Sequence, residues 1–161
     1  MREVRMHSIV EHFALPDAVM DSICDVAREI AFADRALLVV STGPDVVVFG
    51  QSANCERLGS RRFPAEWLTQ VPAPLQTLGS DAVQPPRCLC EGRRFLFALE
   101  DEQGPLGHLV VGFDDLAADV TAHQRHALEK LCLVASSHIL HETLLAQTAR
   151  RFFSAIERDK R

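Results

Sequence analysis

Apolar residues along the chain fall into two patterns: helical spacing at the ends, and short unbroken runs between. Glu3 to Phe13 carries Val4, Ile9, Val10 and Phe13 at intervals that predict a short helix. Pro16 then suits the first turn of a second helix. Over 17–33, Val19, Met20, Ile23, Cys24, Val26, Ala27, Ile30 and Ala31 make a wide apolar stripe. Asp17 and Asp21 fall in its first turns, where negative charge complements the helix dipole.

Ala36–Val40 and Val46–Phe49 are β-rich runs separated by Ser41-Thr42-Gly43-Pro44-Asp45, which is dense in turn residues. No crossover helix fits between them, so they are predicted to form an antiparallel hairpin. Phe95–Leu99 and Leu106–Phe113, joined through Asp101-Glu102-Gln103-Gly104-Pro105, predict a second one. A strand with one wet face would alternate apolar and polar residues; these are nearly apolar throughout. The sheet is therefore expected to be covered on both faces.

Between the hairpins, Gly50 to Cys90 is irregular. Pro64 to Gln70 is read as a short helix carrying Trp67 and Leu68, and Pro72, Pro74, Pro85 and Pro86 interrupt anything longer. Irregular segments of this length in a small domain are commonly lids or binding loops. Thr121-Ala122-His123-Gln124 reads as a capping box. Helical spacing then continues through Leu128, Leu131, Ala135, Ile139 and Leu145 to Phe152, Phe153 and Ile156. A helix of about 38 residues would be about 57 Å long. It either breaks near Thr143–Thr148 or projects and requires a partner.

With 161 residues, 47% hydrophobic and 24% charged, the chain is long enough to bury a core without staples. The net charge of -5 argues against a nucleic-acid binder. No apolar run reaches the length of a membrane span, and the charged Met1–Arg5 stretch is not a signal peptide. Five cysteines, an odd number, fit a reducing environment, so a cytoplasmic location is expected.

The element order is helix, hairpin, irregular middle, hairpin, long helix. The closing part runs Phe95-Leu96-Phe97-Ala98-Leu99-Glu100, then Gly104-Pro105-Leu106-Gly107-His108-Leu109-Val110-Val111-Gly112. Leu116–Val120, Thr121 and Leu128-Glu129-Lys130-Leu131-Cys132-Leu133-Val134-Ala135 complete it. This resembles a GAF domain, of the PAS-like sensor superfamily, over about residues 16–146. The resemblance implies an α+β fold with a central antiparallel sheet of about five or six strands. Terminal helices would lie on one face, and irregular loops with a short helix would cover the other. Residues 1–15 would be an N-terminal helical lead and 147–161 a C-terminal helical extension.

The implied function is a small-molecule-sensing or regulatory module, a homodimer through its terminal helices, with a downstream signalling protein as a further partner. Neither nucleic acid nor membrane is an expected partner. Trp67, Cys88, Cys90, Arg94 and His108 are the candidate ligand-binding residues; no cofactor is named, and no catalytic or metal-ligating residue is assigned. Cys88-Leu89-Cys90 is read as extended, which places both thiols on one side. An alternative is a thiol enzyme resembling the free methionine-(R)-sulfoxide reductases, using Cys88 or Cys90. Cys55-Glu56-Arg57 resembles the start of that family's earlier cysteine motif, but no thiol lies from Glu56 to Arg87. A second alternative is a ligand-free dimerisation and protein-interaction module, with Trp67 filling the core in place of a ligand.

Other residue pairs are less telling. His123 with His126, and His138 with His141, each share a helical face, but the two pairs are too far apart to hold one ion. Arg61-Arg62 and Arg93-Arg94 are basic clusters with a capacity for an anion. Bilin-binding relatives attach the chromophore through a cysteine usually followed by histidine, and no Cys-His pair occurs.

Overall fold

A computed structural model describes residues 18–56, 58, 61–69 and 85–160. The expected helical lead at 1–15 lies outside the described residues, as do 70–84 of the middle segment. The elements are α1 (Ala18–Ala31), β1 (Arg35–Ser41), β2 (Asp45–Gln51), β3 (Arg62–Pro64), a 3₁₀ turn (Ala65–Leu68), α2 (Arg87–Cys90), β4 (Arg93–Asp101), β5 (Gly104–Phe113) and α3 (Ala122–Asp159).

Five strands form one antiparallel sheet in the order β3-β2-β1-β5-β4. Both expected hairpins are present, β1 with β2 and β4 with β5, and β1 pairs with β5 to join them. Strand β3 was not expected. It has three residues, too few to display a period of two, and it ends at Pro64, as edge strands tolerate.

The sheet is covered on both faces. On one, Ala36, Leu38 and Val40 of β1 and Leu109 and Val111 of β5 meet Met20, Ile23, Cys24 and Ala27 of α1 and Leu128, Cys132, Ala135 and Ile139 of α3. On the other, Leu37, Val39, Val46, Val48 and Val110 lie beneath Phe63, Leu68, Cys88 and Leu89. The period of two divides β1 between these clusters, so consecutive residues serve opposite faces. This is why the strands read as unbroken apolar runs.

Helix α1 ends at Phe32, whose φ is 53°. Ala33 N donates to Arg28 O at 3.0 Å and Phe32 N to Glu29 O at 3.3 Å, the reciprocal bonds of a Schellman stop. The left-handed position usually belongs to glycine. Asp21 accepts from Gln51 N at 3.0 Å and Asp25 from Ala53 N at 2.8 Å. The acidic residues of α1 thus fasten the turn after β2 as well as complementing a dipole.

The capping box forms as expected: Thr121 Oγ1 accepts from Gln124 N, and Gln124 Oε1 accepts from Thr121 N. Helix α3 does not break near 143–148. Thr143 Oγ1 donates to Ile139 O at 2.7 Å and Thr148 Oγ1 to Leu144 O at 2.9 Å, so both hydroxyls are satisfied within the helix. No residue of α3 after Thr143 is buried, and 148–160 is exposed throughout. No helix among the described residues is long and apolar enough to cross a membrane.

Candidate functional site

The sheet face opposite α1 and α3 brings together most of the expected site. Arg94, Leu96 and Ala98 of β4 share that face with His108, Val110 and Gly112 of β5 and with Leu37 and Val39 of β1. Trp67, half-buried on the 3₁₀ turn, packs on Phe63 with ring centroids 5.5 Å apart and joins the same cluster. Arg94 Nη1 donates to Leu89 O, tying β4 to α2.

His108 pairs laterally with Val39 and Ala98, two non-polar neighbours. Its Nδ1 is enclosed and has no hydrogen-bond partner among the described residues. Burial lowers its pKa from 6.5, so the ring is neutral at neutral pH. A neutral imidazole keeps one nitrogen as an acceptor and the other as a donor. An enclosed and unpaired ring nitrogen on an apolar floor is a polar anchor awaiting a partner.

Cys88-Leu89-Cys90 is not extended. Pro86 is the N-cap of α2, a single helical turn, and Glu91 returns to extended backbone. Proline is well suited to open a turn whose first N–H groups have no helical acceptor. Residues i and i+2 of a helix point well apart, so the same-side argument for an extended segment does not apply to this turn. The Cys90 side chain lies outside the described residues. Cys88 is buried over Gly112, where an added Cβ would stand 3.3 Å from its Sγ.

Cys55, a residue the sequence singled out only through a family motif, lies on the turn after β2. Ser52 and Ala36 exchange hydrogen bonds: Ala36 N donates to Ser52 Oγ at 3.1 Å, and Ser52 N to Ala36 O at 3.0 Å. Cys55 N closes the turn onto Ser52 O at 3.0 Å, and Cys55 Sγ lies 3.2 Å from Ser52 Oγ. Ala36 and Arg35 pair with Val111 and Gly112, so this turn and Cys88 meet at one end of the β1–β5 ladder.

The two thiols differ sharply. A hydrogen bond from Cys88 holds the Cys55 pKa down to about 6, aided by Ser52, the Ala36 backbone and the Arg35 charge against partial burial. Cys88 is raised well above the ordinary thiol value by that same hydrogen bond and by burial. As a coupled pair they share one readily lost proton, and the charge resides on Cys55. Burial opposes the charge of Arg35, but its hydrogen bond and ion pair with Asp114 outweigh this and keep it protonated. Of Cys55 and Cys88, the thiolate candidate is therefore Cys55.

The basic clusters do not converge on a common point. Arg62 pairs with Asp45 at 3.6 Å, and Arg93 lies over the Phe95 ring at 4.8 Å. Among the described residues, no group of three or more histidine, cysteine or carboxylate side chains is arranged to hold a metal ion.

A sheet sandwiched between helices on one face and loop-borne turns on the other is an α+β architecture. No protein-family model matches the chain, and no curated protein matches its sequence. Solved structures do match. The second GAF domain of DevS from Mycobacterium smegmatis superposes with TM-score 0.52 and 17% identity, over 83% of this chain and 96% of that one. The GAF domain of Thermosynechococcus elongatus PixJ, in its blue-light absorbing form, gives TM-score 0.59 and 10% identity, over 91% and 95%. The chromophore-binding domain of Stigmatella aurantiaca phytochrome P1 gives 0.51 and 14%, over 83% and 59%. The fold is the GAF fold.

Proposed function

We propose that the chain is a small-molecule-sensing GAF module. The ligand lies against the sheet face that carries His108, and its occupancy is relayed through the sheet to α1 and α3. The observation that carries this reading is the enclosed, unpartnered Nδ1 of His108 among apolar neighbours. A buried polar atom without a partner costs about 1–3 kcal/mol, which a ligand hydrogen bond would recover. Trp67, Cys88 and Arg94 border the same face, with Trp67 supplying an aromatic wall. By their printed names, two of the similar structures absorb light or bind a chromophore, and a small-molecule ligand here fits that company. Cys24, Cys55, Cys88 and Cys132 are unbridged, which suits the reducing, cytoplasmic setting of a signalling protein.

Native mass spectrometry of the full chain purified from its own host tests this reading. A retained small molecule, lost in His108→Phe with the fold intact by circular dichroism, is the expected result. Retention by the variant would remove His108 from the site. A bare wild-type chain that binds nothing from a metabolite library would favour the ligand-free interaction module.

The same module dimerises through α3, with a second copy of the chain as the occupant of its apolar stripe. Val134, His141, Leu145, Phe152 and Ile156 recur at alternating seven- and four-residue steps on one face. The four apolar members are exposed, Phe152 at 64%. This is the spacing of a coiled-coil seam. A projecting helical segment of this length is marginal alone in water, and pairing with its symmetry mate covers the stripe.

A further inference from the structure

The two edges of the sheet are built differently. At one, β3 has three residues and ends in Pro64, a short edge that offers little to pair with. At the other, β4 runs for nine residues, Arg93–Asp101, with neither proline nor glycine. Its ladder with β5 is regular from Arg93 to Leu99, and the register shifts only between Leu99 and Glu100. Among the described residues no strand lies beyond β4, and outside its ladder no backbone hydrogen bond reaches Phe95–Leu99. An antiparallel strand turns half of its N–H and C=O groups to each side, so this edge presents a row of unpaired groups.

We propose that β4 is a self-association edge: it pairs antiparallel with β4 of a second copy about a two-fold axis at Phe97, and the two sheets become one. The order of charges selects this occupant. The strand reads Arg93-Arg94-Phe95-Leu96-Phe97-Ala98-Leu99-Glu100-Asp101, basic at one end, acidic at the other and apolar between. With the axis at Phe97, Arg93 faces Asp101 of the second copy and Arg94 faces Glu100. Phe95 then lies opposite Leu99 and Leu96 opposite Ala98, so apolar residues also meet apolar residues. Parallel pairing in register would set arginine against arginine and carboxylate against carboxylate. Moving the axis to Leu96 sets Arg93 against Leu99, and moving it to Ala98 sets Glu100 against Leu96. Only the Phe97 axis matches every charge.

Exposure agrees with this arrangement. Arg93, Ala98 and Glu100 are exposed and Leu96 is half-buried, so pairing covers Ala98 with Leu96 of the second copy. Phe97 and Leu99 are already buried in the α3-side core, and Arg125 of α3 lies over the Phe97 ring at 5.4 Å. They need no rearrangement to let the edge pair. The contact rests on neither the ligand face nor the α3 seam. Its axis stands at the β4 edge, whereas the α3 stripe runs out to Phe152 and Ile156, past Thr143, the last buried residue of that helix. A copy that makes both contacts engages two neighbours.

The test uses the full chain carrying Phe152→Glu and Ile156→Glu, which abolish the α3 seam at exposed positions. Sedimentation equilibrium of this chain should still show a concentration-dependent dimer. Adding Arg93→Glu sets like charges against Asp101 twice about the axis and should weaken that dimer about tenfold. Adding Asp101→Arg as well exchanges the two charges and should restore it. A monomer at every concentration before these additions, a dimer indifferent to Arg93→Glu, or a folded double exchange that stays weak would overturn the proposal. Asp101 also accepts from Gln103 N at 3.0 Å, so a second measurement avoids substituting it. In the unmodified chain, hydrogen exchange at the Phe95–Leu99 amides should slow as protein concentration rises. Exchange there that ignores concentration would equally overturn the edge pairing.

Discussion

Ser52 and Ala36 hold each other by two hydrogen bonds: the Ala36 amide reaches the Ser52 hydroxyl at 3.1 Å, and the Ser52 amide reaches the Ala36 carbonyl at 3.0 Å. Ser52 is fully buried, so neither amide has water as a substitute. This clasp fixes the turn whose next hydroxyl contact is the Cys55 sulfur. Ser52→Ala leaves the Ala36 N–H without a partner and should destabilise the fold by about 1–3 kcal/mol in urea melts. It should also raise the Cys55 pKa, because one donor to the thiolate is gone. Unchanged stability and unchanged Cys55 reactivity would contradict the role assigned to the clasp.

The Cys55 thiolate gives a second expectation. Its alkylation by iodoacetamide should follow a midpoint near pH 6, well below the 9.0 of an ordinary thiol. Cys88→Ala removes the principal donor and should move that midpoint upward. The effect on stability has a definite sign. Between about pH 6 and 9 the unfolded chain retains a proton that folded Cys55 has lost, so this group favours the fold more as pH rises. The gain vanishes as pH falls through about 6.

His108 contributes in the same direction at lower pH. Its folded pKa is depressed by burial, so below 6.5 the unfolded chain takes up a proton that the folded chain refuses. Stability should fall as pH drops from 6.5 towards the folded value, and His108→Phe should flatten that part of the profile. In NMR titrations the His108 ring should hold its neutral shifts at and somewhat below pH 6.5. A His108 midpoint at or above 6.5 would count against an enclosed ring.

At the end of α1, Phe32 occupies a left-handed position with 85% of its surface exposed. Phe32→Gly relieves the backbone strain and forfeits little burial, so it should stabilise the protein by about 1 kcal/mol. A loss of stability on thermal denaturation would show that the ring has a packing partner.

Truncation after Leu145 should leave the folding stability of the domain nearly unchanged, since no residue beyond Thr143 is buried. The same truncation should weaken dimerisation, because Phe152 and Ile156 leave the seam. Sedimentation equilibrium distinguishes the outcomes. An unchanged oligomer mass in the truncated chain would exclude this segment as the dimer contact.

Much of the fold was legible along the chain because its signals are local. Thr121 and Gln124 announce a helix start within four residues, and the two turns between apolar runs leave no room for anything but hairpins. Strand β3 was not legible: three residues ending in proline carry no periodicity, and they become a strand only when Val46 and Val47 offer an edge. The α2 turn was misread as extended because four residues after Pro85-Pro86 fit either conformation. That misreading set Cys88 beside Cys90 on one face, whereas folding seats Cys88 over Gly112 of β5.

The hydrophobic pattern alone determined that an antiparallel sheet must be roofed on both sides; that the last helix runs unbroken past its domain, and does not stop near 143–148, was decided by the structure. Burial of apolar area depends on periodicity, and periodicity is written in neighbouring residues. Which cysteine lies over Gly112, which carboxylates of α1 hold the turn after β2, and which histidine nitrogen is enclosed were decided only by tertiary structure. Those relations join residues tens of positions apart. Hydrogen bonds and thiol acidity depend on distances of a few ångströms, and only the packed sheet sets them.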